Sequence, residues 1–587
     1  MSGTIVGEMM NEGEPMQHQP DVTHNVGAHE SDALGMFRAS VARAPESTAV
    51  WYFDGSLSFG EVDRLSDAFA VALESVGFRA GDRLALYLQN VPQFPIGLLA
   101  AWKLGGSCVL INPMNTTREL TYILNDSGAR VVLCHEYLAA NVATVTEVLG
   151  DLSVITTSGL AFQTTNDPVI DTSGRPCALD FLELCALHVG QPVAERTPQG
   201  SDLAFITYTS GTTGEPKGAM NSHANVAAST RCYRDWMRLG DDDVILGIAP
   251  VFHITGIIAH ITLGFLLGAP VVLSYRFDPR VVLDALRARQ PTFATGVVTA
   301  LNALIEHPSA TKDDFSSLRV VYSGGAPIAP ALAERFMTAT GVQLHSIYGL
   351  TETTSPSHAM PLGAVARVDQ TSGAMSIGVP VYHTQSWIEG PDGSVLEAGE
   401  IGEIVIRGPQ VVAGYWNKPE QTSLSIPNGE LHTGDVGFMD TDGWFYIVDR
   451  MKDMINASGY KVWPREVEDV LCAHPLVHEA AVVGVPDEYR GETVWAFIRG
   501  RANTVLEEDA LREHCREHLA AYKRPRRLIG VDSLPMTASG KILRRELRTV
   551  AEEMLAREAA ETPIDAVPES ALDAVTNAPV VTDAADE

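Results

Sequence analysis

YTSGTTGEPKG, from Tyr208 to Gly218, follows an apolar run at Leu203 to Ile206. That order reads as a loop leaving a buried strand. Its eleven residues include three glycines, the four hydroxyls of Thr209, Ser210, Thr212 and Thr213, and one lysine, Lys217. Gly211 and Gly214 let the backbone approach a ligand and turn its N–H groups inward. Lys217 adds a compact positive charge. A loop built this way suits a polyphosphate. It is not the P-loop of nucleotide hydrolases, because Pro216, Lys217 and Gly218 stand where that pattern requires Gly-Lys-Ser/Thr.

The chain has 587 residues, long enough for two or more domains with a large core. Its formal net charge of -31 argues against a nucleic-acid binder. Seven scattered cysteines without a CxxC pair read as reduced thiols, which suits a cytoplasmic protein. The acidic start, with Glu8, Glu12 and Glu14, is not a secretory signal. Ile254 to Leu273 carries no formal charge over twenty residues, but His260, three glycines and Pro270 favour a buried helix followed by a strand over a membrane span. Peripheral membrane contact and oligomeric state are left open.

Residues 1–30 are polar and aperiodic, an expected disordered extension. From Ala33, helical patterns alternate with short apolar strands, as at Ala49 to Phe53, Asp82 to Tyr87 and Val131 to Cys134. This rhythm predicts an α/β fold with mostly parallel sheets covered by helices. It continues through Phe293 to Gly296, Ser317 to Ser323 and Leu344 to Tyr348, and from about Gly373 it turns hairpin-like and antiparallel. After Asp449 a smaller α+β unit follows, with a helix at Pro464 to His474 and strands at Ala480 to Val485 and Val494 to Ile498. The expected division is an N-terminal domain over 31–449, a hinge at 450–453, a mobile C-terminal domain over 454–550 and an acidic tail over 551–587 that is disordered beyond a short helical start.

Five further stretches are PVFH (Pro250–His253), YGLTET (Tyr348–Thr353), HTGD (His432–Asp435), DRMKDMINASGYKVWPREVE (Asp449–Glu468) and PMTASGKILRREL (Pro535–Leu547). In this order and spacing, with the opening loop, the chain resembles the adenylate-forming superfamily of acyl-CoA synthetases, luciferases and peptide-synthetase adenylation domains. The stretch MINASGYKVWPREVE looks most like bacterial fatty-acyl-CoA ligases. The resemblance covers roughly Ala33 to Val550. It implies layered sheets with a β-barrel-like subdomain, a small mobile C-terminal domain, and activation of a carboxylic acid by ATP and Mg2+ before transfer to coenzyme A.

The resemblance also implies roles. The loop Thr209 to Gly214 with Lys217 would grip the β- and γ-phosphates, where fixed dipoles and charge serve the departing pyrophosphate. Glu352 matches the magnesium ligand and Thr351 an α-phosphate contact. Tyr348, Gly349, Gly324, Ala326 and Pro327 would enclose adenine. Asp435, supported by Arg450, would accept from both ribose hydroxyls. Lys541 would bridge carboxylate and α-phosphate, its long stem delivering a compact charge. Lys452 stands at the hinge position, and Ser458, Gly459 and Tyr460 would line the pantetheine channel. Some of the basic set Lys523, Arg524, Arg526, Arg527, Arg544 and Arg545 would meet coenzyme A phosphates. His253 would lie near the acyl and thiol channels, with a satisfied core histidine as the plain alternative. Ile254, Thr255, Gly256, Ile257, Val298, Ser323, Gly324 and Gly349 would lie near the acyl group. These are small or aliphatic, and the aromatic residue some relatives place after the histidine is replaced by Thr255 and Ile257.

The function expected is a ligase for a medium- or long-chain fatty acid. The alternatives are an aromatic- or branched-acid CoA ligase, an adenylating enzyme that loads a carrier protein, and an inactive nucleotide-binding scaffold. Intact Lys217, Glu352, Asp435 and Lys541 argue against the last.

Overall fold

Unbroken apolar strands such as Val131–His135 and Val320–Ser323 are buried at every position, the mark of sheets covered on both faces. The computed structural model describes residues 30–174, 179–194, 196–209, 216–369, 374–450, 453–457, 460–487, 491–501, 504, 506–536 and 542–561. Among these, the named strands assemble into four sheets.

A six-stranded sheet has the spatial order Ser153–Thr157, Val131–His135, Arg83–Tyr87, Ser107–Leu110, Leu203–Thr209, Lys217–Ser222. Its first five strands are parallel, and the last returns antiparallel. A nine-stranded sheet has a parallel centre of Leu344–Tyr348, Val320–Ser323, Phe293–Gly296, Ile245–Gly247, Val271–Leu273 and Thr48–Tyr52. The helix Gln93–Lys103, buried along its whole length, packs on the first sheet and shares one core with residues of the second. Trp102 fills that core and donates its indole N–H to the Ala204 carbonyl at 2.9 Å.

Local chemistry sets the helix starts. Ser58 and Glu61 form a reciprocal capping box at the start of Phe59–Ser75, and Asp278 caps Pro279–Arg289 with proline in its first turn. The charge-free stretch folds as Ile254–Gly256, a π-helical turn Ile257–Thr262, the helix Leu263–Leu267 and the strand Val271–Leu273. Among the described residues no helix is long and apolar enough to cross a membrane.

The hairpin-like region forms an antiparallel four-stranded sheet, Gln385–Glu389, Gly402–Arg407, Leu431–Met439 and Phe445–Arg450. The small C-terminal unit pairs Val477–Asp487 with Gly491–Gly500 in a ladder longer at both ends than the apolar pattern suggests, because backbone pairing extends past the last buried side chain. The final helix Arg544–Glu561 runs through Val550, so the helical start expected for the tail is continuous with the C-terminal unit. Ala551, fully buried beside Ala481, Val483 and Leu547, ties that extension down. The rest of the expected tail, and the extension before residue 30, lie outside the described residues.

Candidate active site

Four adjacent parallel strands end together, and the residues singled out above follow them: Tyr348 and Gly349, Ser323 and Gly324, Val298 after Gly296, and His253 after Gly247. The carboxyl edge of a parallel sheet is where ligand crevices form. The other two N-terminal sheets contribute from their own ends. Leu203–Thr209 delivers the glycine loop, and Leu431–Met439 carries Asp435.

The loop is the tip of a hairpin. Thr209 pairs with Lys217, which opens the return strand Lys217–Ser222. Ser210, Gly211, Thr212, Thr213 and Gly214 lie outside the described residues. Both flanks are anchored: the Tyr208 hydroxyl donates to Asp126 Oδ2 at 2.6 Å, and the Tyr122 hydroxyl donates to the Pro216 carbonyl at 3.0 Å. The outer edge of the return strand is met by a later segment, where Met220 N–H donates to the Gly414 carbonyl and Trp416 N–H to the Gly218 carbonyl.

That pairing brings Tyr415 beside Lys217, the first residue of the return strand. Lys217 Nζ sits 5.0 Å from the Tyr415 ring centroid, and the Tyr415 hydroxyl donates to Glu352 Oε1 at 2.7 Å. Burial, followed by the Glu352 charge, pushes the Tyr415 phenol far above its ordinary range, so it stays a donor. Glu352 is 9% exposed, and among the described residues no basic side chain forms an ion pair with it. A buried carboxylate without a cationic partner fits a hard divalent cation, so these residues suit Mg2+.

Thr351 and Glu352 lie in a short 3-10 turn, and the Val412 N–H holds the Glu352 carbonyl at 2.9 Å. Just past Thr353, which ends the turn, Thr354 and Ser355 have φ of 48° and 93°. Two successive left-handed non-glycine residues are strained. Asn221 Nδ2 donates to Thr354 Oγ1 at 3.0 Å and the Tyr233 hydroxyl meets Ser355 Oγ at 2.9 Å, bonds that hold the turn. Gly349 is required by this turn rather than by a ligand alone, since a Cβ there would lie 1.5 Å from the Ser355 carbonyl oxygen. Gly324 is similar, its Cβ position 2.5 Å from the Ile347 carbonyl oxygen.

The Tyr348 hydroxyl donates to Asp435 Oδ2 at 2.6 Å, joining the expected adenine face to the expected ribose acceptor. Asp435 is buried. Its strand neighbour across the ladder is Arg450, whose side chain lies outside the described residues. Ala326 is half-buried and Pro327 exposed beside Gly324.

His253 is a half-buried cap rather than a core residue, its Nδ1 accepting from the Thr255 N–H at 3.4 Å. Behind it Gly256 closes on the chain, its Cβ position 2.1 Å from the Pro250 carbonyl oxygen. Ile254, Ile257 and Val298 are buried, and Ser323 is buried with its hydroxyl unpartnered.

Lys452, Ser458, Gly459 and Lys541 lie outside the described residues. Tyr460 opens the strand Tyr460–Val462. Of the basic segment, Lys523 grips both oxygens of Glu466 at 2.6 and 2.7 Å, and Arg544 holds Glu468. Arg524 donates to the Leu519 carbonyl, and Arg527 lies over Trp495. These four already have protein partners.

Sequence reading did not find Tyr415 or Asn221. Their only sequence signal is indirect: an aromatic pair in the turn AGYWNKPE, and a polar side chain in the strand after the loop. Neither carries a pattern of its own.

Comparison with known proteins agrees with this geometry. Residues 37–416 match the model of the AMP-binding enzyme family, and residues 466–541 that of the AMP-binding enzyme C-terminal domain. The chain is 35% identical over 550 residues to a long-chain-fatty-acid–CoA ligase of Bacillus subtilis (strain 168), covering 90% of this chain and 96% of the other. It is 34% identical over 522 residues to a feruloyl-CoA synthase of Amycolatopsis sp, covering 88% and 99%. The crystal structure of an anthranilate CoA ligase in complex with anthranoyl-AMP superposes with a TM-score of 0.81 at 27% identity, covering 89% and 98%. The chain therefore belongs to the AMP-binding, adenylate-forming enzyme family and is an AMP-forming acid–CoA ligase that works through an acyl adenylate.

Proposed function

We propose that the acid is a medium- or long-chain fatty acid. The observation that carries this is the lining expected for the acyl group, Ile254, Thr255, Gly256, Ile257, Val298 and Ser323, which offers no charge to a polar substrate. A ligase for a long-chain fatty acid at 35% identity supports it. The second reading, an aromatic acid, is favoured by the 34% identity to a feruloyl-CoA synthase.

In this reading Lys217 and the amides of the hairpin loop hold the β- and γ-phosphates, and Tyr348 and Asp435 hold the nucleoside. A magnesium ion at Glu352 would neutralise phosphate charge. Lys541 draws the carboxylate to the α-phosphate. A carboxylate oxygen then bonds to the α-phosphorus as the bond to the β-phosphate breaks and pyrophosphate leaves. The C-terminal unit then turns about 450–453, bringing Ser458, Gly459 and Tyr460 to the channel. The coenzyme A thiol loses its proton to solvent, its sulfur bonds to the acyl carbon as the acyl carbon–oxygen bond to the phosphate breaks, and AMP departs. His253 takes no proton in this scheme.

Purified protein tested for pyrophosphate release against a panel of acids decides the substrate. Stimulation by aliphatic acids, with thioester formed only when coenzyme A is added, supports the proposal. Stimulation by hydroxycinnamic or benzoic acids alone establishes the second reading. Lys541→Ala is expected to abolish adenylate formation while sparing thioester formation from supplied acyl adenylate, and equal loss of both half-reactions would sink its assigned role.

A further inference from the structure

Tyr415 is bracketed by two groups of opposite charge. Lys217 Nζ lies over its ring face at 5.0 Å, and its hydroxyl reaches Glu352 Oε1 at 2.7 Å. The tyrosine itself is nearly buried, packed with Ile377, Ile404, Ile406, Val412 and Phe445. Its backbone is held in register by the bridge Ala219↔Tyr415, and its N–H donates to Thr422 Oγ1 at 2.9 Å. The ring is therefore clamped from the backbone side, and it holds the two charged groups rather than being held by them.

A lysine and a glutamate placed in one phosphate site face a physical problem. Before the nucleotide arrives they attract each other, and a direct ion pair would neutralise both groups that the nucleotide and its metal need. The aromatic face gives the ammonium an alternative partner. The phenol gives one carboxylate oxygen an alternative partner and leaves Oε2 for a cation.

Resting on the reading of Lys217 as a phosphate ligand and Glu352 as the metal ligand, we infer that Tyr415 is a positioning residue, a spacer that keeps this pair apart and fixes Glu352 to present one oxygen to the magnesium of the nucleotide. Its role runs through Glu352 and Lys217, the two groups it meets. A hydrogen bond to a charged group is strong enough that its loss moves an equilibrium by about tenfold or more.

The test uses the full-length protein with Tyr415→Phe, which keeps the ring and removes the hydroxyl. The Mg2+ concentration for half-maximal pyrophosphate release is expected to rise about tenfold. The Kd for ATP measured calorimetrically in excess chelator stays within about twofold of wild type, because Lys217 keeps its aromatic partner. Adding Tyr415→Phe to a Glu352→Gln background changes neither quantity further, since the tyrosine acts through that carboxylate. In Tyr415→Leu, metal-free ATP binding weakens severalfold as Lys217 turns to Glu352, and a further Glu352→Gln change restores it. An unchanged magnesium midpoint in Tyr415→Phe overturns the inference. Equal weakening with and without magnesium, or loss that persists undiminished in the Glu352→Gln background, assigns Tyr415 a merely structural role and also overturns it. A wild-type protein that binds no ATP overturns the site reading itself, an outcome distinct from both.

Discussion

The Tyr348 hydroxyl and Asp435 Oδ2 are 2.6 Å apart although 87 residues separate them in the chain. One residue ends a parallel strand of the nine-stranded sheet, and the other sits in the antiparallel sheet of Leu431–Met439. The bond fixes a flat ring and a carboxylate against each other. Tyr348→Phe is expected to raise the KM for ATP about tenfold with kcat little changed, since the ring face survives and only the carboxylate loses a donor. Steady-state pyrophosphate release at varied ATP checks this. A fall in kcat at unchanged KM would refute the role.

Gly349→Ala should be far more damaging than its size suggests. The added methyl would overlap the Ser355 carbonyl oxygen, 1.5 Å from its ideal position, and backbone cannot move aside without breaking the strained Thr354–Ser355 turn. The expected result is loss of adenylate formation by at least about a hundredfold, together with destabilisation of about 3 kcal/mol or more. Circular dichroism melting and pyrophosphate release measured on one preparation test both.

Lys103 is fully buried and paired with Asp63 at 2.7 Å and Asp67 at 2.5 Å, each carboxylate about one-third exposed. Lys103→Ala removes the buried cation and its packed stem from the core helix. A loss of about 3 kcal/mol in urea unfolding is expected, below the upper range for fully buried pairs because both aspartates can rehydrate. A loss under about 1 kcal/mol would show the pair to be incidental.

His260 lies fully buried in the π-helical turn, and neither ring nitrogen has a hydrogen-bond partner. Burial alone pushes its pKa from 6.5 down to about 3. The unfolded chain therefore takes up a proton below pH 6.5 that the folded one refuses down to about pH 3, so stability is present above pH 6.5 and falls as pH drops through that window. His260→Leu should be more stable than wild type by about 1 kcal/mol at pH 7.5. The advantage should grow by about 1.4 kcal/mol per pH unit below 6.5. Denaturant unfolding at pH 7.5 and 5.5 measures both terms, and an advantage independent of pH would contradict the protonation argument.

Much of the fold was legible because its signals are local. Val271–Leu273, Pro279–Arg289, Phe293–Gly296 and Leu344–Tyr348 fall where hydrophobic runs and breakers put them. Motif order was enough to indicate an adenylate-forming enzyme, and glycines beside hydroxyls and a lysine were enough to indicate a phosphate loop. The return strand was not legible, because Lys217–Ser222 carries no alternating pattern and is fixed by its partners Leu203–Thr209 and Gly414 to Trp416.

The opening stretch itself shows the division. By itself the sequence determined that Lys217 closes a loop whose composition suits phosphates, since that depends only on which side chains stand together in eleven residues. Tertiary structure alone decided what Lys217 faces. Tyr415 is 198 positions away and reaches Lys217 only because a backbone bridge joins a turn to the sheet edge at Ala219, and Glu352 meets Tyr415 only because a parallel strand ends beside it. Hydrogen bonds between backbones carry no side-chain signature, so the contacts they create between distant charges cannot be read until the chain is folded.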